Sequence, residues 1–199
     1  MLDCAAFKSE TKSAMAKHIL ATTLAILLIT TSARADSNDE RLRRLHDLTQ
    51  CPIFAYLAAI HRAPINIDNR YLVVIINHRG DQRFYAQCAF EKRDHRMHCE
   101  VSSPYFNPGM YQYFQGEHLK SVKSLGYRRR VNDNYYQKRN ARRPEAIYDI
   151  AGLLIDTLGR VFDMQPEEGL IYEAPLVKQL PAISGADGSK LCAPMISLR

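Results

Sequence analysis

Short β-branched and alternating runs occupy the middle of the chain, with helical stripes on either side. Residues 70–77 read RYLVVIIN, and this β-branched density predicts a strand. His78-Arg79-Gly80-Asp81 forms a turn. Strands over 83–91 and 96–103 follow, joined by the loop Lys92-Arg93-Asp94-His95. Setting Glu91 opposite Arg96 places Phe90 against Met97, Cys88 against Cys99 and Ala86 against Val101, with Phe84 beyond them on the same face. Tyr85, Gln87, His98 and Glu100 take the other face. One apolar and one polar face is the pattern of a half-buried antiparallel pair. The prediction is a three-stranded antiparallel β-meander.

The flanking segments repeat at helical spacing. Ser37-Asn38-Asp39-Glu40 has the form of a capping box, and Leu42, Leu45 and Leu48 recur after it. Pro52 interrupts, and suits the first position of a second helical piece over 52–61. Residues 117–125 predict a short helix with Leu119, Val122 and Leu125 inward and Gly126 just past its end. Pro144 opens a long helix whose stripe is Ile147, Ile150, Ala151, Leu154, Leu158, Val161 and Phe162. Residues 170–173 fit a short strand. The fold class is α+β: the meander, an N-terminal helical region and two later helices. A single domain is expected over 36–174, and 175–199 read as a Pro-, Gly- and Ser-rich tail.

The strand at 71–76 is apolar throughout, so both its faces should be covered. In a simple meander it lies at an edge, which invites pairing. Either residues 170–173 cover it, or it serves as a peptide-accepting edge or the seam of a weak homodimer.

Residues 19–31 (ILATTLAILLITT) carry no charge, follow Lys12 and Lys17, and precede Ala33-Arg34-Ala35. This is the layout of a secretory signal peptide over 1–35, with a second start visible at Met15. The run is shorter than the roughly 20 residues that cross a bilayer. The expected location is therefore periplasmic or secreted, with no membrane span in the mature chain. Cys51, Cys88, Cys99 and Cys192 remain after cleavage, an even number that suggests two disulfides. The hairpin register favours Cys88 with Cys99, leaving Cys51 with Cys192 to tie down the tail. Free thiols and crossed pairings are the alternatives.

Candidate chemistry is sparse. The chain of 199 residues has an ordinary globular composition, net charge +6 and pI about 9.1. No nucleophile-elbow, phosphate-loop or metalloprotease motif occurs. His95, His98 and Cys99 are close in sequence, but His98 and Cys99 fall on opposite strand faces, so no shared metal is expected. Glu167-Glu168 follow a helix end and read as loop residues. No catalytic residue and no cofactor is expected. The one unusual surface is basic: Arg128, Arg129, Arg130, Lys138, Arg139, Arg142 and Arg143, interleaved with Tyr127, Tyr135 and Tyr136. Arginines beside stacking aromatics suit phosphate-bearing ligands. In an exported chain that means lipopolysaccharide, anionic lipid or an acidic partner, with nucleic acid disfavoured. The bland alternative is a solvated face with the tyrosines in the core.

Leu125-Gly126-Tyr127, then Asn134-Tyr135-Tyr136-Gln137-Lys138, then Leu153-Leu154-Ile155-Asp156-Thr157-Leu158, resemble the pattern of the type III secretion chaperone-like family (YbjN-like, or TY-chaperone, domains). The resemblance covers about residues 42–172. It implies an α+β fold and non-enzymatic protein binding, often as a dimer. It transfers no catalytic residue. Two readings follow: an exported chaperone-like module that holds a protein partner, and a module that binds envelope polyanions through 127–143.

Overall fold

The computed structural model describes residues 37–64, 68–76, 84–91, 95–129 and 133–177. The expected signal peptide, Arg130, Cys192 and most of the expected tail lie outside these residues. The chain divides into two compact units, 1–40 and 41–199. Residues 37–40 of the first are helical.

The second unit is α+β. Helix α1 covers residues 41–62. Strands β1 (Tyr71–Ile76), β2 (Tyr85–Phe90) and β3 (Arg96–Val101) follow. A 3₁₀ segment, Pro108–Phe114, leads into α2 (Gly116–Ser124). Then come β4 (Arg128–Arg129), β5 (Tyr135–Asn140), α3 (Pro144–Phe162) and β6 (Leu170–Glu173). The strands form one antiparallel sheet in the order β4-β5-β3-β2-β1-β6.

The expected meander is the centre of this sheet, in the expected register: Phe90↔Met97, Cys88↔Cys99 and Ala86↔Val101. Two expectations are corrected. The sheet has six strands, not three: the basic segment supplies β4 and β5, and residues 170–173 add β6. Helix α1 also runs through Pro52 without a break. A mid-helix proline loses one backbone bond and crowds the preceding turn. Here Leu45 on one side and Ile53, Leu57 and Ile60 on the other are fully buried, so one core holds both halves in line. Of the three leucines at helical spacing, Leu42 and Leu45 are buried and Leu48 is exposed.

One sheet face carries the core. Leu72, Val74, Ala86, Cys88, Met97, Cys99 and Val101 are all fully buried there. Helix α3 lies against it, and Phe162 meets Phe84 with ring centroids 5.4 Å apart. Helix α1 reaches the same face, where Tyr56 stacks on Tyr172 at 5.0 Å and His61 packs on Phe90 at 5.3 Å. The expected α3 stripe is buried throughout, and Leu153, Ile155 and Thr157 are buried beside it. Helix α2 ends as its sequence suggests. Gly126 adopts φ 90°, its N–H donates to Lys123 O, and Tyr127 N–H donates to Val122 O. That double bond is the Schellman cap, which favours glycine at the left-handed position.

Strand β1 is buried on both faces, as its apolar run implies. Strand β6 pairs with it, Val74 opposite Tyr172. Residues 73–76 therefore have a strand on each side, so of the two alternatives for β1 the structure takes coverage by residues 170–173, and β1 is not an edge strand of the sheet.

Candidate functional site

Hydrogen-bond alternation fixes the phase of the central hairpin. Glu91 N–H donates to Arg96 O at 2.8 Å and Ser102 N–H to Tyr85 O at 3.2 Å. Cys88 and Cys99 thus fall at a non-hydrogen-bonded pair, where antiparallel strands approach most closely. Their Cα atoms are 4.1 Å apart and the sulfurs are bonded. Cys51 is disulfide-bonded as well; its expected partner, Cys192, lies outside the described residues. A buried cross-strand disulfide fits an oxidising compartment. Among the described residues, no helix is long and apolar enough to cross a membrane.

The open sheet face carries a polar network. The Glu100 carboxylate accepts from Gln87 Nε2 at 2.9 Å and lies 2.8 Å from His98 Nε2. Asn134 Nδ2 donates to Tyr85 Oη at 3.2 Å. His98 stacks on Tyr136, 5.4 Å between centroids and 2° between planes. His98 therefore faces away from Cys99, which is held in the disulfide. Glu168 Oε2 accepts from Gln165 N–H at 2.7 Å, capping the turn after α3.

A cavity of about 580 Å³ lies beside α1 and α3, with His46, Gln50, Arg139, Asp149 and Asp156 on its wall. Both His46 ring nitrogens are engaged, Nδ1 with Gln50 Oε1 at 2.9 Å and Nε2 with Asp156 Oδ1 at 3.2 Å. The bond to Asp156 raises the His46 pKa against the lowering effect of burial. Burial alone would raise Asp156, but His46 and Arg160 hold its carboxyl below the usual value. This geometry makes an ion-paired clamp between helices, with no ring nitrogen left to take a proton from a nucleophile.

The basic segment is divided. Strand β4 puts Arg128 and Arg129, both exposed, at one end of β5. Lys138 and Arg139 are exposed further along β5, and Arg142 and Arg143 follow it. The interleaved tyrosines are not a stacking surface. Tyr127 and Tyr135 are buried, and Tyr136 is engaged with His98. Tyr127 Oη lies 2.9 Å from Thr157 Oγ1, and burial pushes its pKa up to about 12.

The structure presents a surface that sequence reasoning missed. The exposed large apolar side chains among the described residues are Leu48, Ile171, Tyr105, Phe106 and Tyr111. Tyr105, Phe106 and Tyr111 are 49%, 62% and 67% exposed and sit on one connection, between β3 and α2. Three anchors hold this connection: buried Met110, buried Phe114 stacked on Tyr135 at 5.1 Å, and half-buried Tyr113 edge-on to Phe84 at 5.0 Å. Ser103 Oγ also donates to Asp133 O at 3.2 Å. The available signal was the aromatic density of PYFNPGMYQYF over 104–114.

No family model, no curated protein and no solved structure matches this chain.

Proposed function

We propose that this chain is an exported, non-enzymatic, chaperone-like module, periplasmic or secreted, that holds a protein partner on the aromatic surface of Tyr105, Phe106 and Tyr111. The observation that carries this reading is the concentration of exposed aromatic area on one rigidly anchored connection. Tyrosine and other aromatic side chains are enriched at protein interfaces because they bury much area at low entropic cost. The disulfide and the charge-free run at residues 19–31 support export. The likeness of the 125–158 motifs to the secretion-chaperone pattern supports protein binding over catalysis. The test is capture from envelope extracts at low and high salt, with wild type against the triple variant Tyr105→Ser, Phe106→Ser, Tyr111→Ser. A partner retained at high salt by wild type and lost by the folded triple variant is the expected result. Equal capture by both proteins refutes the reading.

A second reading, binding of envelope polyanions such as lipopolysaccharide or anionic lipid, is favoured by a different observation. The cations of β4 and β5 surround a cavity of about 510 Å³ at the sheet edge. In that reading binding falls steeply as salt rises, because bound counterions are released.

A further inference from the structure

Arg70 is a buried charge without a counter-ion among the described residues. It is 8% exposed, and burial alone lowers its pKa, with no carboxylate acting to raise it. Buried guanidinium groups are ordinarily paired. Nε donates to Ile60 O, and Nη2 donates to Ile60 O and His61 O, at the C-terminal end of α1. A guanidinium carries five N–H groups. The two on Nη1 have no hydrogen-bond partner among the described residues.

The groups around Arg70 converge on the core face of the sheet. Phe90 N–H donates to Arg70 O at 2.9 Å, so the two residues are paired and share a face. The guanidinium carbon lies 5.0 Å from the Phe90 ring centroid. His61 packs on the same ring at 5.3 Å, and the His95 ring is 6.0 Å from that of His61. Together with Ala63 and Glu91 they line a cavity of about 190 Å³. His61 Nε2 is buried and has no hydrogen-bond partner among the described residues. Glu91 does not balance the pocket. It sits opposite Arg96 on the other sheet face, where its carboxylate lies 2.6 Å from Lys138 Nζ and 3.7 Å from Arg96 Nε. A buried polar atom left unpaired costs stability, so each such atom calls for a partner.

We propose that this pocket binds a small organic carboxylate, with Arg70 Nη1 and His61 Nε2 donating to its oxygens and its hydrocarbon part against Phe90 and Ala63. The site is separate from the aromatic surface and from the β4–β5 cations, and it rests on neither reading. One permanent charge calls for a monoanion. The walls offer few donors, enough for the two oxygens of a carboxylate but not for the four of phosphate or sulfate. The volume equals about six waters at roughly 30 Å³ each, which suits an acid of a few carbons. His61 faces His95, Arg70 and Arg62, and burial, then these neighbours, lower its pKa. The empty pocket therefore keeps His61 neutral. A carboxylate favours the imidazolium, so binding takes up a proton and strengthens as pH falls.

The full chain is titrated with butyrate, benzoate and inorganic phosphate by calorimetry at pH 5.5 and 7.5, and the His61 ring protons are followed by NMR. Saturable binding of butyrate or benzoate is expected, tighter by about fivefold or more at the lower pH. His61→Phe keeps a ring against Phe90 but removes the donor. It should weaken binding about tenfold and abolish the pH dependence, whereas the remote charge control Arg43→Ala should change binding less than about twofold. The NMR titration of wild type needs no variant: the His61 pKa should rise when benzoate is present. An unchanged His61 titration, or equal losses in His61→Phe and Arg43→Ala, overturns the site. Tighter binding of phosphate than of either carboxylate overturns the ligand assignment. Failure of wild type to bind butyrate or benzoate at millimolar concentrations overturns the proposal and leaves Arg70 as a cap of α1 alone.

Discussion

His46 on α1 and Asp156 on α3 meet with 3.2 Å between Nε2 and Oδ1, and Gln50 occupies the other ring nitrogen. The pair ties two helices that share one sheet face. Its pH signature follows from the raised His46 pKa, caused first by the bond to Asp156. The folded state holds the His46 proton more tightly than the unfolded state does, so this stabilisation is complete below 6.5, the ordinary histidine value. It is lost as pH rises through the higher folded value. The depressed Asp156 acts at the other end: its contribution is present above the ordinary value of 3.8 and is lost as pH falls through the folded value below it. His46→Gln should flatten the fall in stability above pH 6.5, read from urea midpoints between pH 5 and 8.5. An unchanged slope in the variant contradicts the assignment.

Gly159 is expected to be intolerant of a side chain. A Cβ there would come within 2.6 Å of Leu42 Cδ2 and 3.2 Å of Leu45 Cδ1. Alanine gains about 1 kcal/mol in helix preference over glycine, and overpacking costs about 1–3 kcal/mol. Gly159→Ala should therefore destabilise the protein by about 1 kcal/mol net, and Gly159→Val by more. Adding Leu42→Ala to Gly159→Ala should give a smaller loss than the two single losses combined, because the shortened side chain vacates the clash.

Arg70 closes the C-terminal end of α1. It is buried, its guanidinium donates to His61 O at 3.1 Å and Ile60 O at 3.4 Å, and its charge lies 5.0 Å from the Phe90 ring centroid. Arg70→Met keeps the apolar stem but leaves those carbonyls without their donor. The expected cost is about 2–3 kcal/mol, with Arg70→Lys recovering only part of it, because one ammonium cannot reproduce the fork. Denaturant unfolding of the three proteins decides this.

What was legible in the sequence depended on pattern strength. The β2–β3 register could be read because strict alternation meets a short turn, and a slip of one residue would turn Phe90 and Met97 outward. The α3 stripe was equally strong. Strand β5 was hidden because its buried positions are Tyr135 and Gln137, and after Tyr136 its exposed residues are two cations and an amide that resemble a loop. The basic cluster looked compact in sequence, but a strand advances about 3.3 Å per residue, so β5 separates Arg128 and Arg129 from Arg142 and Arg143. The aromatic surface was missed because aromatic residues between prolines are as consistent with core as with surface. Only the packing of Met110, Tyr113 and Phe114 decides which of them remain outside.

The Cys88–Cys99 disulfide should contribute in proportion to the chain it closes. The two residues are 11 apart in sequence, and the chain-entropy model assigns a loop of that size about 3 kcal/mol. Both side chains are fully buried against the core face, so replacement by alanine adds a packing loss, whereas serine would bury unpaired hydroxyls. Cys88→Ala/Cys99→Ala should lower Tm by about 6–12 °C, taking about 2–4 °C per kcal/mol for a chain of this length. The register should survive, because Phe90, Met97, Ala86 and Val101 still demand the same pleat. Hydrogen exchange on the variant tests that separation of roles. Protection retained at Gln87, Ala89, His98 and Glu100 with a lowered Tm supports it, and loss of protection across the hairpin shows that the disulfide, not the pattern, holds the strands in phase.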